Sequence, residues 1–154
     1  MIVSDSGPII AYSRIGRMDI LRRLFGQIVV PNAVYEELVT RGAGRPGDAE
    51  VRRSSWIQRR EVKNVGGMEE FSSSLHRGER EAIVLAHEIG VPLLIDERRG
   101  RRTAEDMGVV VIGSLAVLAE AHREGIIEDT SSLVQDILDS GYWINPDVIE
   151  TFLA

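Results

Sequence analysis

The sequence predicts an α/β domain, a parallel sheet covered by helices, and three observations lead there. Short continuous apolar runs of strand length alternate with longer stretches whose apolar residues recur three and four apart. One run, Val109-Val110-Val111-Ile112, is apolar throughout, the pattern of a strand buried on both faces in the middle of a parallel sheet. The chain has 154 residues, enough for one domain with a substantial core, and neither a repeat nor a low-complexity tract divides it, so 1–154 reads as a single domain.

The elements follow in order. Ile2-Val3-Ser4-Asp5 is the first strand, and Gly7-Pro8 opens a helix through Ile9, Ile10 and Tyr12, since proline is tolerated in a first turn. Met18, Ile20, Leu21, Leu24 and Phe25 keep helical spacing until Gly26 ends it. Ile28-Val29-Val30 is a buried strand punctuated by Pro31-Asn32, and Val34, Leu38 and Val39 mark the inner face of the next helix. The stretch 41–47, rich in Gly, Pro and Arg, reads as a mobile loop. A helical turn is expected over 49–54, a strand through Trp56-Ile57 and Val62 with an exposed arginine pair, then loop and a short helix over 64–74. Ala82, Ile83, Leu85, Ala86 and Ile89 line one side of a helix over 79–88 that Gly90 stops. A strand at Leu93-Leu94-Ile95, a basic helix over 98–107 and the Val109–Ile112 strand come next. Gly113-Ser114 starts a helix with Leu115, Leu118, Ala119 and His122, and helices over 132–140 and 146–153 complete the chain.

Composition excludes several classes of function. Without cysteine there is no disulfide, thiolate zinc site or cysteine nucleophile. The N-terminus enters a strand directly and no apolar run approaches a membrane span, so a cytoplasmic protein that does not engage membranes is expected. A net charge of −6 argues against a general nucleic-acid coat but is compatible with an acidic catalytic site. Lys63 is the only lysine, and arginine is the better fork for phosphate oxygens, although genomic base composition would produce the same excess.

Four acids stand where strands end or apolar helix faces begin: Asp5, Glu37, Glu81 and Asp96. Carboxylates at the ends of neighbouring parallel strands converge in one crevice, where like charges resist desolvation and call for a cation. An all-oxygen donor set suits Mg²⁺ or Mn²⁺, and such an ion over an anionic substrate suits phosphodiester hydrolysis. Each acid has a plainer reading. Asp5 would cap the following helix, and Ser6 would do the same or hold the Asp5 carboxylate. Glu36 and Glu37 point about 100° apart, so one of them is surface charge, and Glu37 lies nearer the apolar edge. Glu81 borders the apolar side of its helix, whereas Glu79 fits a charge favoured by the helix dipole. Asp96 and Glu97 run directly into Arg98, Arg99, Arg101 and Arg102, either a metal site that draws in phosphates or a salt-bridged helix start. His76, His87 and His122 share no ligand spacing, no G-x-S-x-G elbow occurs, and the 41–47 loop lacks the Gly-Lys-Ser/Thr of a phosphate loop.

Taken in order, Ser4-Asp5-Ser6-Gly7-Pro8, the stretch from Val30-Pro31 to Glu37-Leu38, Gly78-Glu79-Arg80-Glu81-Ala82-Ile83 and Leu94-Ile95-Asp96-Glu97-Arg98 resemble the PIN-domain family. The G-E-x-E-A-I helix, the acidic pair before arginines and Val111 to Leu115 narrow this to a prokaryotic, toxin-like branch. The resemblance implies a three-layer α/β/α sandwich and a Mg²⁺- or Mn²⁺-dependent endoribonuclease, often the toxin of a toxin–antitoxin pair. It matches Asp5, Glu37, Glu81 and Asp96 to the family's catalytic, metal-binding acids, with Ser6 and Glu97 as auxiliaries. Glu81 stands where the family often has aspartate. Arg98, Arg99, Arg101 and Arg102 would steer RNA. A homodimer fits the surplus of apolar residues on the second and C-terminal helices, with Trp143 and Phe152 packing at home or on a partner. Two alternatives compete: a catalytically weak or inactive nucleic-acid-binding or protein-interaction module of the same fold, and a receiver-like phosphoryl-transfer domain. The second lacks the expected lysine at a late strand end.

Overall fold

Continuous apolar runs in the strands, Ile2-Val3, Ile28-Val29-Val30 and Leu93-Leu94, put apolar side chains on both faces of the sheet, and the chain covers each face with helices. The computed structural model describes residues 1–64 and 74–153. Five parallel strands, β1 (Ile2–Ser4), β2 (Ile28–Pro31), β3 (Ile57–Arg60), β4 (Leu93–Leu94) and β5 (Val111–Ile112), lie in the order β3-β2-β1-β4-β5. Val3 stands opposite both Val29 and Leu93, and Leu93 opposite Val111. Ile2, Ile28, Val30 and Leu94 join one apolar cluster, while Val3, Val29, Leu93 and Ile95 join another on the opposite face. The first cluster is closed by α1 (Ser6–Arg14), α2 (Met18–Phe25), α7 (Ser114–Arg123) and α8 (Thr130–Asp139). The second is closed by α5 (Arg77–Ile89) and α6 (Arg98–Asp106). The result is the expected three-layer α/β/α sandwich.

The remaining helices are short. α3 (Asn32–Tyr35) runs into a π-helical turn, Glu36–Thr40, and α4 (Asp48–Arg53) and α9 (Pro146–Leu153) lie at the surface. The 41–47 stretch is a run of turns pinned where Gly44 N–H donates to Asp48 Oδ2 (2.8 Å) and Gly47 N–H to Ser13 Oγ (2.8 Å).

Two expectations change. The Val109–Ile112 run is not central: β5 is an edge strand, and Val110 is 64% exposed. Val109 is buried by the α5–α6 layer instead, so the apolar run reflects a strand end tucked under a helix. The helix expected over 79–88 starts two residues earlier, at Arg77 with His76 as N-cap, while its buried side, Ala82, Ile83, Leu85, Ala86 and Ile89, is the expected one. Trp143 is exposed, whereas Phe152 packs on the larger cluster. Most of the segment expected over 64–74 lies outside the described residues. Among the described residues no helix is long and apolar enough to cross a membrane.

Sheet order positions the site. The chain builds β1, β2 and β3 outward in one direction, then returns to place β4 and β5 on the other side of β1. The crevice beyond the carboxyl ends of β1 and β4 is therefore the point where strand order reverses, the usual ligand site of open parallel sheets.

Candidate active site

Asp5 follows β1 into that crevice. Its N–H continues the ladder to Leu94 O (2.9 Å), and although it is the N-cap of α1 its carboxylate makes no cap hydrogen bond. The plain capping reading therefore fails, and the carboxylate faces a cavity instead. Asp5 is 8% exposed. Burial, partly offset by the Ser6 N–H and reinforced by Glu79, Glu37 and Asp96, pushes its pKa up to about 7.

Glu37 arrives from the second element. The π-turn, with Arg41 N–H bonded five residues back to Glu36 O (2.8 Å), presents Glu37 toward α1, where Ser6 Oγ–H donates to Glu37 Oε2 (2.8 Å). Glycine at position 78 lets α5 approach: a Cβ there would collide with the Glu37 carboxylate. Glu79 is the third residue of α5 and 8% exposed. Burial raises its pKa to about 7, with Glu97, Glu37 and a hydrogen bond shared with Glu97 adding to the effect, and the His76 backbone opposing it. Glu97 in turn caps α6 by accepting from Gly100 N–H (2.7 Å).

Asp5, Ser6, Glu37 and Glu79 line one cavity of about 380 Å³ together with Arg41, His76 and Arg77. Asp96 stands beside it, near enough to act on Asp5 electrostatically, but both its oxygens are engaged. Oδ1 accepts from Ser114 N–H (2.7 Å), and Oδ2 from Ser114 Oγ–H (2.6 Å) and the Tyr142 hydroxyl (2.5 Å). Buried Tyr12 fixes the same corner by donating to Ser114 O (2.8 Å). Tyr142 also lies over Gly7, where a Cβ would come within 2.7 Å of its hydroxyl oxygen.

Glu81 points elsewhere. It is 4% exposed, accepts from Ala33 N–H through Oε1 (3.1 Å) and from Arg77 Nε–H through Oε2 (2.8 Å), and is absent from the cavity wall. Two helical residues two apart point about 200° apart, so a helix starting at Arg77 cannot aim both Glu79 and Glu81 into one crevice. The spacing Arg77–Glu81 was the available signal, since i,i+4 partners of opposite charge pair on a helix. Arg98, Arg99 and Arg102 are exposed, and Arg101 lies against Gly113 beside Asp96; none of the four lines the cavity. The sequence reading set Glu79 aside as a charge favoured by the helix dipole and did not single out Arg41 and Arg77, which line the cavity, or Tyr142, which reaches Asp96 from a segment far along the chain.

The donor chemistry suits a hard divalent cation, since the carboxylates crowd one another and an ion would relieve them. Among the described residues, however, no group of three or more His, Asp or Glu is gathered closely enough to hold a metal ion. The acids converge on the cavity without closing a coordination sphere.

Comparisons with known proteins agree with this architecture. No curated protein matches the chain. Among solved structures, a PilT N-terminus domain protein from the hyperthermophilic archaeon Sulfolobus solfataricus P2 is similar, with a TM-score of 0.59 and 17% identity over 79% of this chain and 93% of that one, a likeness of fold. The family model described as PIN domain matches residues 1–154, so this chain belongs to the PIN-domain family.

Proposed function

We propose that the chain is a metal-dependent endoribonuclease that hydrolyses RNA phosphodiester bonds, with Asp5, Glu37 and Glu79 as its principal acids and Asp96 beside them. The observation that carries this reading is a buried Asp5 sharing a cavity with Glu37 and Glu79 at the crevice where strand order reverses. Membership of a superfamily that includes nuclease-like proteins supports it. Mg²⁺ or Mn²⁺ in this cavity would make a bound water more acidic and stabilise charge on a phosphate. The chain's own residues prepare the place. Ser6 orients Glu37, Ser114 and Tyr142 fix Asp96, and the walls of the crevice keep Asp5 from bulk water. In this proposal Glu79 replaces Glu81 as the third acid, and Glu97 assists through its contact with Glu79. A toxin role, with an antitoxin protein as partner, and a homodimer extend the same reading.

One observation favours the alternative of a weak or inactive binding module. Asp96 already accepts three hydrogen bonds, and no chelating group is gathered among the described residues. One experiment separates the two. Purified protein is incubated with single-stranded and structured RNA in Mn²⁺, Mg²⁺ or EDTA, beside an Asp5→Asn/Asp96→Asn double variant. Metal-dependent cleavage that the variant lacks is the expected result. Cleavage undiminished in the variant, or none from inhibitor-free wild-type protein, moves the assignment to the binding module.

A further inference from the structure

We propose that Arg41 and Arg77 form a two-pronged grip on the RNA phosphate at the mouth of the acid cavity, and that Glu81 is the residue that holds Arg77 in place. The inference rests on the nuclease reading above. Both arginines line the cavity while their side chains remain 67% and 64% exposed, so they stand at its mouth with one side open to solvent. Arg41 Nη2 lies 4.0 Å from Glu37 Oε1, beyond hydrogen-bond reach, which leaves its fork available. Arg77 is oriented rather than consumed. Its Nε–H is bonded to Glu81 at 2.8 Å and its Nη1 is 3.7 Å from Glu36, so the outer edge of the guanidinium still has donors to offer. The two prongs come from two elements, Arg41 from the end of the π-turn and Arg77 from the first turn of α5.

Charge balance points the same way. The cavity wall carries three carboxyl groups and two guanidiniums, so the arginines offset much of its negative charge. One divalent cation held by Asp5, Glu37 and Glu79 would turn that wall net positive, and the planar N–H forks of Arg41 and Arg77 would then give the phosphate directional donors. The opposite side of the crevice offers no such welcome, because Asp96 is covered by Ser114 and Tyr142. The α6 arginines lie outside the cavity and act on RNA as diffuse positive charge. The grip gives buried Glu81 a reason to be acidic: it fixes a rotamer-rich side chain before substrate arrives, which reduces the ordering cost of binding.

The test uses the full chain and a short labelled single-stranded RNA, with binding read by fluorescence anisotropy in EDTA and again in Ca²⁺. Arg41→Ala should weaken binding about tenfold and lower the slope of log K against log salt by about 0.7. Arg77→Ala alone would strand the Glu81 carboxylate, so an Arg77→Ala/Glu81→Gln pair removes prong and counter-charge together, with thermal melting to show the fold intact. The same loss is expected from that pair. An Arg98→Ala/Arg99→Ala/Arg102→Ala variant should lose less than either. The grip is overturned if Arg41→Ala and the Arg77/Glu81 pair bind as wild type, if the α6 variant loses more, or if wild-type protein binds RNA in neither EDTA nor Ca²⁺. Loss of binding in the grip variants, with wild-type protein that never cleaves, keeps the grip and removes the nuclease reading. Cleavage abolished by Asp5→Asn but untouched in the grip variants does the reverse.

Discussion

Glu79 and Glu81, two residues apart on α5, do opposite work, and substitution should separate them. Glu79 is a buried acid held against like charges, so Glu79→Gln relieves repulsion. Metal-free melting temperature should stay level or rise, and stabilisation by Mn²⁺ should shrink. Glu81 accepts a backbone N–H and a guanidinium, so Glu81→Gln should cost about 1–3 kcal/mol while the Mn²⁺ response persists. Thermal melts with and without Mn²⁺ check both; loss of the Mn²⁺ response from Glu81→Gln alone would restore Glu81 as the ligand. Tyr142 presents a third case. Its hydroxyl donates to a carboxylate from a segment 46 residues away, so Tyr142→Phe removes a charge-assisted bond with little change of shape. The expected loss is about 1.5–3 kcal/mol, read from urea midpoints, and a change below about 0.5 kcal/mol would mean that the contact is idle.

At the scale of elements, the approach of α5 to the π-turn governs the site, and Gly78 permits it. Alanine is the better helix former by up to about 1 kcal/mol, yet a Cβ here meets the Glu37 carboxylate, the mobile end of a flexible side chain. Gly78→Ala should therefore keep or gain stability while pushing Glu37 aside and weakening the Mn²⁺ response, as melts and calorimetric titration would show. A large loss of stability would place the collision on the backbone instead. The same elements mark the limit of what the sequence made legible. Strand ends could be read because continuous apolar runs such as Ile28-Val29-Val30 end in turn residues, and so Asp5 and Asp96 were found. The parallel sheet covered by helices followed from that alternation, and the three-layer sandwich from the family resemblance. The apolar side of α5 could be read, and Ala82, Ile83, Leu85, Ala86 and Ile89 do pack into the core, but which of Glu79 and Glu81 meets the crevice depends on how α5 lies against the π-turn, and no local period encodes that. Nor does a local period announce a π-turn, which adds one residue to the bonding ring without changing the apolar pattern of Val34, Leu38 and Val39. The edge position of β5 was hidden for a related reason: Val109 is buried by helices, and burial by helix or by strand leaves the same apolar signature.

For the whole molecule, the crevice concentrates carboxylates that folding has desolvated, and this couples stability to pH. Asp5 rises from an ordinary 3.8 to about 7 and Glu79 from 4.5 to about 7 in the folded chain. Between roughly pH 4 and pH 7 the folded state therefore retains protons that the unfolded state has released. Stability must fall as pH rises through that window, and the penalty is complete above about pH 7. The divalent cation proposed for the crevice would require the ionised carboxylates, so its binding should release protons, strengthen as pH climbs toward 7 and level off beyond. Melting curves from pH 5 to pH 8 should show the metal-free chain losing stability, with each kcal/mol worth about 2–4 °C at this size. Excess Mn²⁺ should flatten or reverse the decline, and Asp5→Asn should remove much of the slope while lowering the response to Mn²⁺. A metal-free chain that grows steadily more stable from pH 5 to pH 8 would mean that Asp5 and Glu79 are already neutralised by groups within the fold. The crevice would then have no electrostatic need for a cation.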